Sequence, residues 1–213
     1  MKTKIISTQN PSAIPHAVDV LNRCGLVAFP TDTVYGLASQ AVNEECIERL
    51  YVVKGRMHTK AIALLLSKIE QLNQVAIDIS ENAYKLATRF WPGPLTLVLK
   101  RHPNLPRILS PDKSVGVRIP DHPDALRLMD ITGPLAVTSA NLSGEEPACS
   151  AEEVKKQLDH RIHLILDGGI SPCGLPSTVV DCMEPQIKIL RPGPLSLSQL
   201  EAALEEEVNS ISG

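Results

Sequence analysis

The stretch Gly25-Leu-Val-Ala-Phe-Pro-Thr-Asp-Thr-Val-Tyr-Gly36 decides the fold class. Leu26–Pro30 is a short apolar run stopped by a proline, which reads as a buried strand. Upstream, residues 12–24 put Ile14, Ala17, Val18 and Leu21 on one helical face. Ser12 is the expected N-cap and Gly25 the expected left-handed residue past the end. Downstream, Asn43–Lys54 repeats the helical spacing through Ile47, Leu50 and Tyr51, and Ala61–Leu66 reads as a strand. The alternation continues with helices at Lys68–Val75 and Ser80–Phe90, strands at Leu95–Lys100 and Val115–Pro120, a helix at Asp124–Ile131 and a strand at Leu135–Thr138. Ser150 with Glu153 forms a capping box for a helix through Leu158. Strands at Ile162–Leu166, Thr178–Asp181 and Ile187–Leu190 follow. Ser198 with Glu201 is expected to cap a closing helix over 196–208, whose Glu201, Glu205 and Glu206 read as a solvated face. Strand–helix alternation predicts a layered α/β (α+β) fold. The closely spaced C-terminal strands favour antiparallel neighbours, hence a mixed β-sheet flanked by helices. No repeat or linker interrupts residues 1–213, so one domain is expected.

Composition narrows the function. The 213 residues are 43% hydrophobic and 21% charged, ordinary for a globular chain that buries a core without staples. No apolar run reaches the ~18–20 residues that span a bilayer. The basic start lacks a signal-peptide pattern, so a cytoplasmic protein is expected. A net charge of −3 and only six aromatic residues (one Trp, three Tyr, two Phe) argue against a bulk nucleic-acid binder or a base-stacking platform. The five cysteines, Cys24, Cys46, Cys149, Cys173 and Cys182, are odd in number, scattered and without a CxxC. Reduced thiols are therefore expected, not a disulfide framework or a thiolate zinc site.

Glycine, proline and small polar residues cluster after the predicted strands, where open α/β sheets place ligands. The segments are Pro30–Gly36, Lys54-Gly-Arg56, Trp91-Pro-Gly-Pro94, Val117-Arg-Ile-Pro120, Thr138-Ser-Ala-Asn141, Gly174-Leu-Pro-Ser-Thr178 and Arg191-Pro-Gly193. Each alone is an ordinary turn. Together they supply hydroxyls, an amide and cations suited to a nucleotide-like polyanion. Lys54, Arg56, His58 and Lys60 either complement a helix dipole or, if the chain there is extended, form a phosphate clamp. Arg118, flanked by apolar residues, lies on a solvated strand face or is buried with an anion. The chain has no GxSxG and no Walker A motif. His160 and His163 do not share a helical face, and Cys173 has no evident histidine partner, so a passive thiol is the simpler reading.

These segments, in this order, resemble the YrdC/Sua5 family of L-threonylcarbamoyladenylate synthases over roughly residues 12–195. The matches include Ser139-Ala-Asn-Leu-Ser-Gly144 and Ser177-Thr-Val-Val-Asp181. The resemblance implies a twisted mixed sheet with a large cationic cavity, and synthesis of threonylcarbamoyl-AMP and pyrophosphate from L-threonine, bicarbonate and ATP. It implies Mg²⁺ carried on the ATP phosphates, no tightly bound organic cofactor, and a threonylcarbamoyl-transferase complex that passes the group to adenosine 37 of tRNAs reading ANN codons. It puts catalytic roles on Lys54, Arg56, Ser139 and Asn141. ATP contacts fall on Arg56, Lys60, Ser114, Ser139, Asn141 and Arg191, and L-threonine contacts on Thr33, Arg118 and Ser177. The chain departs from the family at Met57–Ile62 and at Leu65, where some members carry a threonine-contacting histidine. Its length resembles the short form. A preformed carbamate is already an anionic nucleophile, so this chemistry needs charge neutralisation and alignment instead of a strong base. For the synthase, at most a weak direct tRNA contact is expected. The competing readings are a non-enzymatic RNA-binding module, which would bind RNA tightly and with a steep salt dependence, and the YrdC-like part of a hydrogenase-maturation carbamoyltransferase.

Overall fold

A computed structural model describes residues 2–205. Its strands are β1 (Lys4–Ser7), β2 (Val27–Phe29), β3 (Gly36–Gln40), β4 (Ala63–Leu65), β5 (Ala76–Ile77), β6 (Leu95–Arg101), β7 (Ser114–Arg118), β8 (Leu135–Ser139), β9 (Leu164–Asp167), β10 (Thr178–Asp181) and β11 (Lys188–Arg191). Its α-helices are α1 (Ala13–Asn22), α2 (Glu44–Lys54), α3 (Leu72–Val75), α4 (Glu81–Phe90), α5 (Pro123–Thr132), α6 (Ala151–Leu158) and α7 (Leu197–Glu205). The strands form one sheet in the order β1-β9-β2-β3-β8-β4-β7-β6-β10-β11, with β5 on the far stretch of β6. Parallel pairs (β1·β9, β2·β9, β4·β7, β6·β10) mix with antiparallel ones, as the strand spacing implies.

Side-chain alternation sorts the core into two layers. Leu26 and Ala28, Leu64, Ala136 and Ile165 pack on one face with residues of α2, α4, α6 and α7. Val27, Phe29, Leu65, Leu135, Val137, Leu164 and Leu166 pack on the other with α1 and α5. Successive strand residues point to opposite faces, so a run such as Val-Ala-Phe in β2 is apolar throughout because both faces are covered. α1 and α5 cover only the β1–β8 half of their face, and the remaining half is open. That gap is the site.

Local chemistry sets the ends of α2. The Asn43 side chain accepts from the Glu45 and Cys46 amides, and Glu44 and Glu45 lie in the positive first turn. Gly55, at φ +59°, ends the helix in the left-handed region where a side chain is strained. This turn means that residues 54–60 are not extended, so of the two readings of this cationic segment the alternating clamp does not form.

Three caps differ from expectation. Ser12 makes no side-chain cap. The left-handed residue after α1 is Cys24 (φ +57°), while Gly25 is needed because a Cβ there would meet Val20 at 2.5 Å. The last helix is capped two residues early, by Ser196, whose Oγ accepts from the Gln199 amide while the Gln199 side chain accepts from the Ser196 amide. Ser150 caps α6 as expected, but Glu153 turns its carboxylate to the Cys149 amide (2.7 Å). The end of the acidic tail, Glu206 and Glu207, lies outside the described residues.

The expectation of reduced thiols is overturned. Cys24 pairs with Cys46 and Cys149 with Cys173, with Cα separations of 4.9 and 5.5 Å. The partners lie 22 and 24 residues apart, so nothing local in the sequence signals them; the fold brings loop and helix ends together. Cys182 is a buried free thiol, pushed up to about 12 by its burial.

Candidate active site

The open half of the sheet carries a cavity of about 550 Å³. Alternate residues of adjacent strands floor it: Ala63 and Leu65 of β4, Ser114, Gly116 and Arg118 of β7, Thr96 and Val98 of β6, and Val137 and Ser139 of β8. The 31–36 segment, Arg56, Ser110–Asp112, Pro147, Pro176, Ser177 and Arg191 form the walls. Six of the seven glycine- and proline-rich segments therefore contribute to the lining, Trp91–Pro94 being the exception, and two of them do so through floor residues, Arg118 and Ser139, because the floor is the face of the sheet itself.

Arg118 is 6% exposed and resolves its two readings in favour of burial with an anion. Its Nη2 donates to Asp32 Oδ1 at 2.5 Å, Nη1 to Thr33 Oγ1 at 3.1 Å, and Nε to the Gly93 carbonyl at 2.9 Å. The Trp91–Pro94 turn is thereby explained: it presents Gly93 to Arg118, while the Gly93 amide donates to Ile119 and the Trp91 indole to Leu95. Thr31 receives the Thr33 amide and shares a hydroxyl contact with it.

Arg191 donates to the Ser177 carbonyl from Nε and Nη2 and to Ser177 Oγ from Nη2 (3.1 Å); that hydroxyl is also 2.8 Å from Thr96 Oγ1. Gly193 permits this turn, because a Cβ there would sit 2.4 Å from the Thr178 nitrogen and 2.5 Å from the Pro176 carbonyl. Arg56 donates to the Lys60 and Ala61 carbonyls. Burial pushes both Arg56 and Arg191 below the usual guanidinium value, and the Arg118 charge adds to the shift at Arg191. Neither has a carboxylate partner among the described residues.

Lys54 and Asn141 lie behind the cavity. The Lys54 ammonium donates to the Ser139 carbonyl (2.5 Å), to the Asn141 carbonyl and to Asn141 Oδ1 (3.3 Å). The Asn141 amide nitrogen donates to Leu142 and Glu145, completing a turn that aims Ser139 into the cavity. Lys60 is exposed and outside the lining; its carbonyl serves Arg56 and Tyr51. Thus seven of the ten sequence-chosen residues, Thr33, Arg56, Ser114, Arg118, Ser139, Ser177 and Arg191, face one cavity. Sequence reasoning missed Asp32, Thr96 and Asp112. Asp112 accepts from the Ser114 amide and from the Ser114 and Ser110 hydroxyls, which hold its carboxyl below the usual range. Asp32 was findable, since a buried cation needs a counter-ion and the neighbouring motif contains one.

Burial, with the Arg56 charge adding to it, pushes Lys54 down to about 7 from 10.5. A group with a lowered basic value releases a proton on folding between those limits, so its contribution makes stability rise with pH there. Wild type is expected to gain on Lys54→Met by at most roughly 1.4 kcal/mol per pH unit above neutrality. Urea unfolding of both proteins at pH 7.5 and pH 9 reads this difference, and a flat or shrinking one rejects the assignment.

Comparisons with known proteins agree with this geometry. A family profile for the Sua5/YciO/YrdC domain, described as "Telomere recombination", matches residues 19–193. A threonylcarbamoyl-AMP synthase of Bacillus subtilis is 40% identical over 95% of this chain, and a putative threonylcarbamoyl-AMP synthase of Mycobacterium tuberculosis is 34% identical over 96%. The Sua5 structure of Pyrococcus abyssi complexed with L-threonine superposes with a TM-score of 0.91 at 39% identity over 96% of this chain. The chain spans 59% of the Bacillus relative and 62% of the Pyrococcus chain, but 95% of the Mycobacterium one. By sequence, by fold and by the extent of the match, the chain belongs to the Sua5/YciO/YrdC family.

Proposed function

We propose that this chain is a threonylcarbamoyl-AMP synthase, a nucleotidyltransferase that joins L-threonine, bicarbonate and ATP into threonylcarbamoyl-AMP and pyrophosphate as a single cytoplasmic domain. The observation that carries the reading is the charge arrangement of the cavity. Arg118 has its own carboxylate, whereas Arg56 and Arg191 are held by carbonyls and a hydroxyl and keep their charge for a ligand. Partly desolvated guanidiniums without counter-ions favour a polyanion such as a triphosphate. The named relatives and the threonine-bound Pyrococcus structure support the choice of substrates.

In this reading Thr33, Arg118 and Ser177 hold L-threonine, and Arg56, Ser114, Ser139 and Arg191 hold ATP, with Lys60 reaching in from the rim. Lys54 and Asn141 act by positioning Ser139. Threonine's neutral amine bonds to the bicarbonate carbon as the C–OH bond breaks, the amine proton and hydroxide leaving together as water; an oxygen of the resulting carbamate then attacks the α-phosphorus as the bond to pyrophosphate breaks. The chain aligns two anions and neutralises charge, and needs no side-chain base. Mg²⁺ fits as part of the ATP complex. Asp112 is a lining carboxylate kept ionised by its serine hydroxyls, and one carboxylate plus substrate phosphates is a common Mg²⁺ arrangement. The ion would shield the phosphate charge. The product then passes to a threonylcarbamoyl-transferase complex that modifies tRNA. A neighbouring groove with Lys100, Arg101, Arg107 and Lys113 supports at most a weak tRNA contact.

Pyrophosphate release tests the reading, with threonine and bicarbonate each present or omitted. Release requiring both, with threonylcarbamoyl-AMP in the mass spectrum, is the expected result. Folded protein without release, but with tight and steeply salt-dependent RNA binding, points to an RNA-binding module. Release with carbamoyl phosphate alone points to carbamoyltransferase-type chemistry.

A further inference from the structure

We propose that Cys149–Cys173 is a reversible redox site that clasps the wall of the cavity on the Thr33 side, so that reduction by a dithiol weakens L-threonine binding. The proposal rests on the synthase reading for its ligand, but not for the bond or its mechanical effect.

Residues 172–176 form an exposed arch between two buried serines, Ser171 and Ser177. At one foot, Ser171 Oγ donates to the Thr31 carbonyl and its amide to the Cys149 carbonyl. At the other, Pro176 and Ser177 line the cavity. At the crown, the Cys173 amide donates to the Thr33 carbonyl (3.0 Å), tying the arch to the residue whose hydroxyl receives Arg118. Cys149 belongs to the facing wall: Pro147 lines the cavity, the Tyr35 amide donates to Ala148, and Glu153 fixes the Cys149 amide. The disulfide thus closes a bridge over Thr33 between two walls of one site.

The backbone argues that the bond matters here. Cys173 sits at φ +54°, in the left-handed region that a side chain other than asparagine or aspartate occupies at a cost. The same holds for Cys24, the left-handed partner of Cys46. In each pair one cysteine occupies strained backbone, and a covalent partner offsets that strain. The two pairs differ in position. Cys24–Cys46 joins the ends of α1 and α2 away from the cavity lining, and serves as the internal control.

Cys173 is exposed and Cys149 is buried, so a dithiol's thiolate attacks the Cys173 sulfur. Cys149 leaves as a thiolate and takes up a proton. The reductant's second thiol then displaces Cys173, leaving two protein thiols and a cyclic disulfide. Two electrons and two protons pass from the dithiol to the protein. Reduced, the arch keeps its serine feet but loses its crown, and the strained Cys173 backbone relaxes away from Thr33. Threonine must then reorder the wall as it binds.

The test compares oxidised protein with protein treated with dithiothreitol and desalted anaerobically. Alkylation under denaturing conditions followed by peptide mass analysis reports the bond, and amide hydrogen exchange of Cys173, Gly174 and Leu175 reports the arch. Calorimetric binding of L-threonine reports the consequence. The expected result is protected cysteines before reduction, faster arch exchange after it, and a threonine Kd raised about fivefold or more, the usual scale of a coupling between sites. Cys173→Gly, which suits the left-handed backbone, is expected to fold and to behave as the reduced form whatever the redox conditions. Cys24→Ser/Cys46→Ser is expected to keep the response. Free Cys149 and Cys173 in oxidised protein, or unchanged arch exchange and threonine affinity after the bond is shown to be broken, overturns the proposal. Failure of pyrophosphate release in both redox states, with exchange still redox-dependent, overturns the synthase reading and leaves the clasp standing.

Discussion

Arg118→Met is expected to lower kcat/KM for L-threonine by about 10²-fold and to destabilise the protein by about 3–5 kcal/mol. The two losses have separate origins. The guanidinium donates to Thr33, and in the proposed reading its removal takes away a charge-assisted contact to the threonine carboxylate. Its removal also strands Asp32, whose side chain is 14% exposed and whose Oδ1 accepts from Arg118 at 2.5 Å. An ion pair this buried contributes little net stability when complete, but breaking it leaves an uncompensated charge. Asp32→Asn on the Arg118→Met background is therefore expected to recover most of the stability and none of the threonine-dependent activity. Urea unfolding and steady-state kinetics on the two variants and the double variant separate the effects. Activity returning with stability would mean that Arg118 only supports the fold; threonine kinetics within threefold of wild type in Arg118→Met would remove it from the site.

The same ion pair shows how far the sequence can be read. Ser114-Val-Gly-Val-Arg118 alternates polar or small residues with valines, and a period of two assigns Ser114, Gly116 and Arg118 to one face of a strand. Whether that face is solvent or cavity depends on which helices cover it, and α1 and α5 stop short of β7 for reasons of chain length and topology that no local pattern carries. Periodic elements such as α2 and β6 are legible because each buries one self-consistent stripe. β3, Gly-Leu-Ala-Ser-Gln, was missed because its small residues have little strand preference. It is a strand because β2 and β8 pair with it on both edges. β1 was missed for the opposite reason: it is a short edge strand held mainly by β9. The site residues came from the motifs, while their division into facing and supporting groups came from the fold. Lys54 illustrates this: from the sequence it reads either as a complement to the helix dipole or as part of a clamp, yet its amine is consumed by the Ser139–Asn141 turn.

Lys54 and Arg56 are each expected to cost about 10²-fold in turnover when truncated, the usual scale for losing one preorganised donor, but by different routes. Arg56 lines the cavity, and its backbone contacts are to carbonyls of Lys60 and Ala61 on an exposed turn that water can satisfy. Arg56→Ala should therefore fold with near-wild-type stability, lose turnover with ATP, and regain part of it when guanidinium ion is added at low millimolar concentration. Lys54 touches no cavity surface. It is 2% exposed, and its truncation leaves the Ser139 and Asn141 carbonyls without their shared donor, at a cost of about 1–3 kcal/mol for each buried acceptor left unpaired. The turn that aims Ser139 then loosens. Lys54→Met should consequently lose stability and turnover together, and added alkylamine should not restore it. Turnover, urea midpoint and small-cation rescue measured side by side distinguish the routes. A fully stable Lys54→Met with impaired turnover would place the ammonium on the substrate, and an unstable Arg56→Ala would make that guanidinium a strut of the turn. The expected pattern assigns charge neutralisation to Arg56 and alignment to Lys54, the two demands that joining a carbamate to a triphosphate makes on a site without a base.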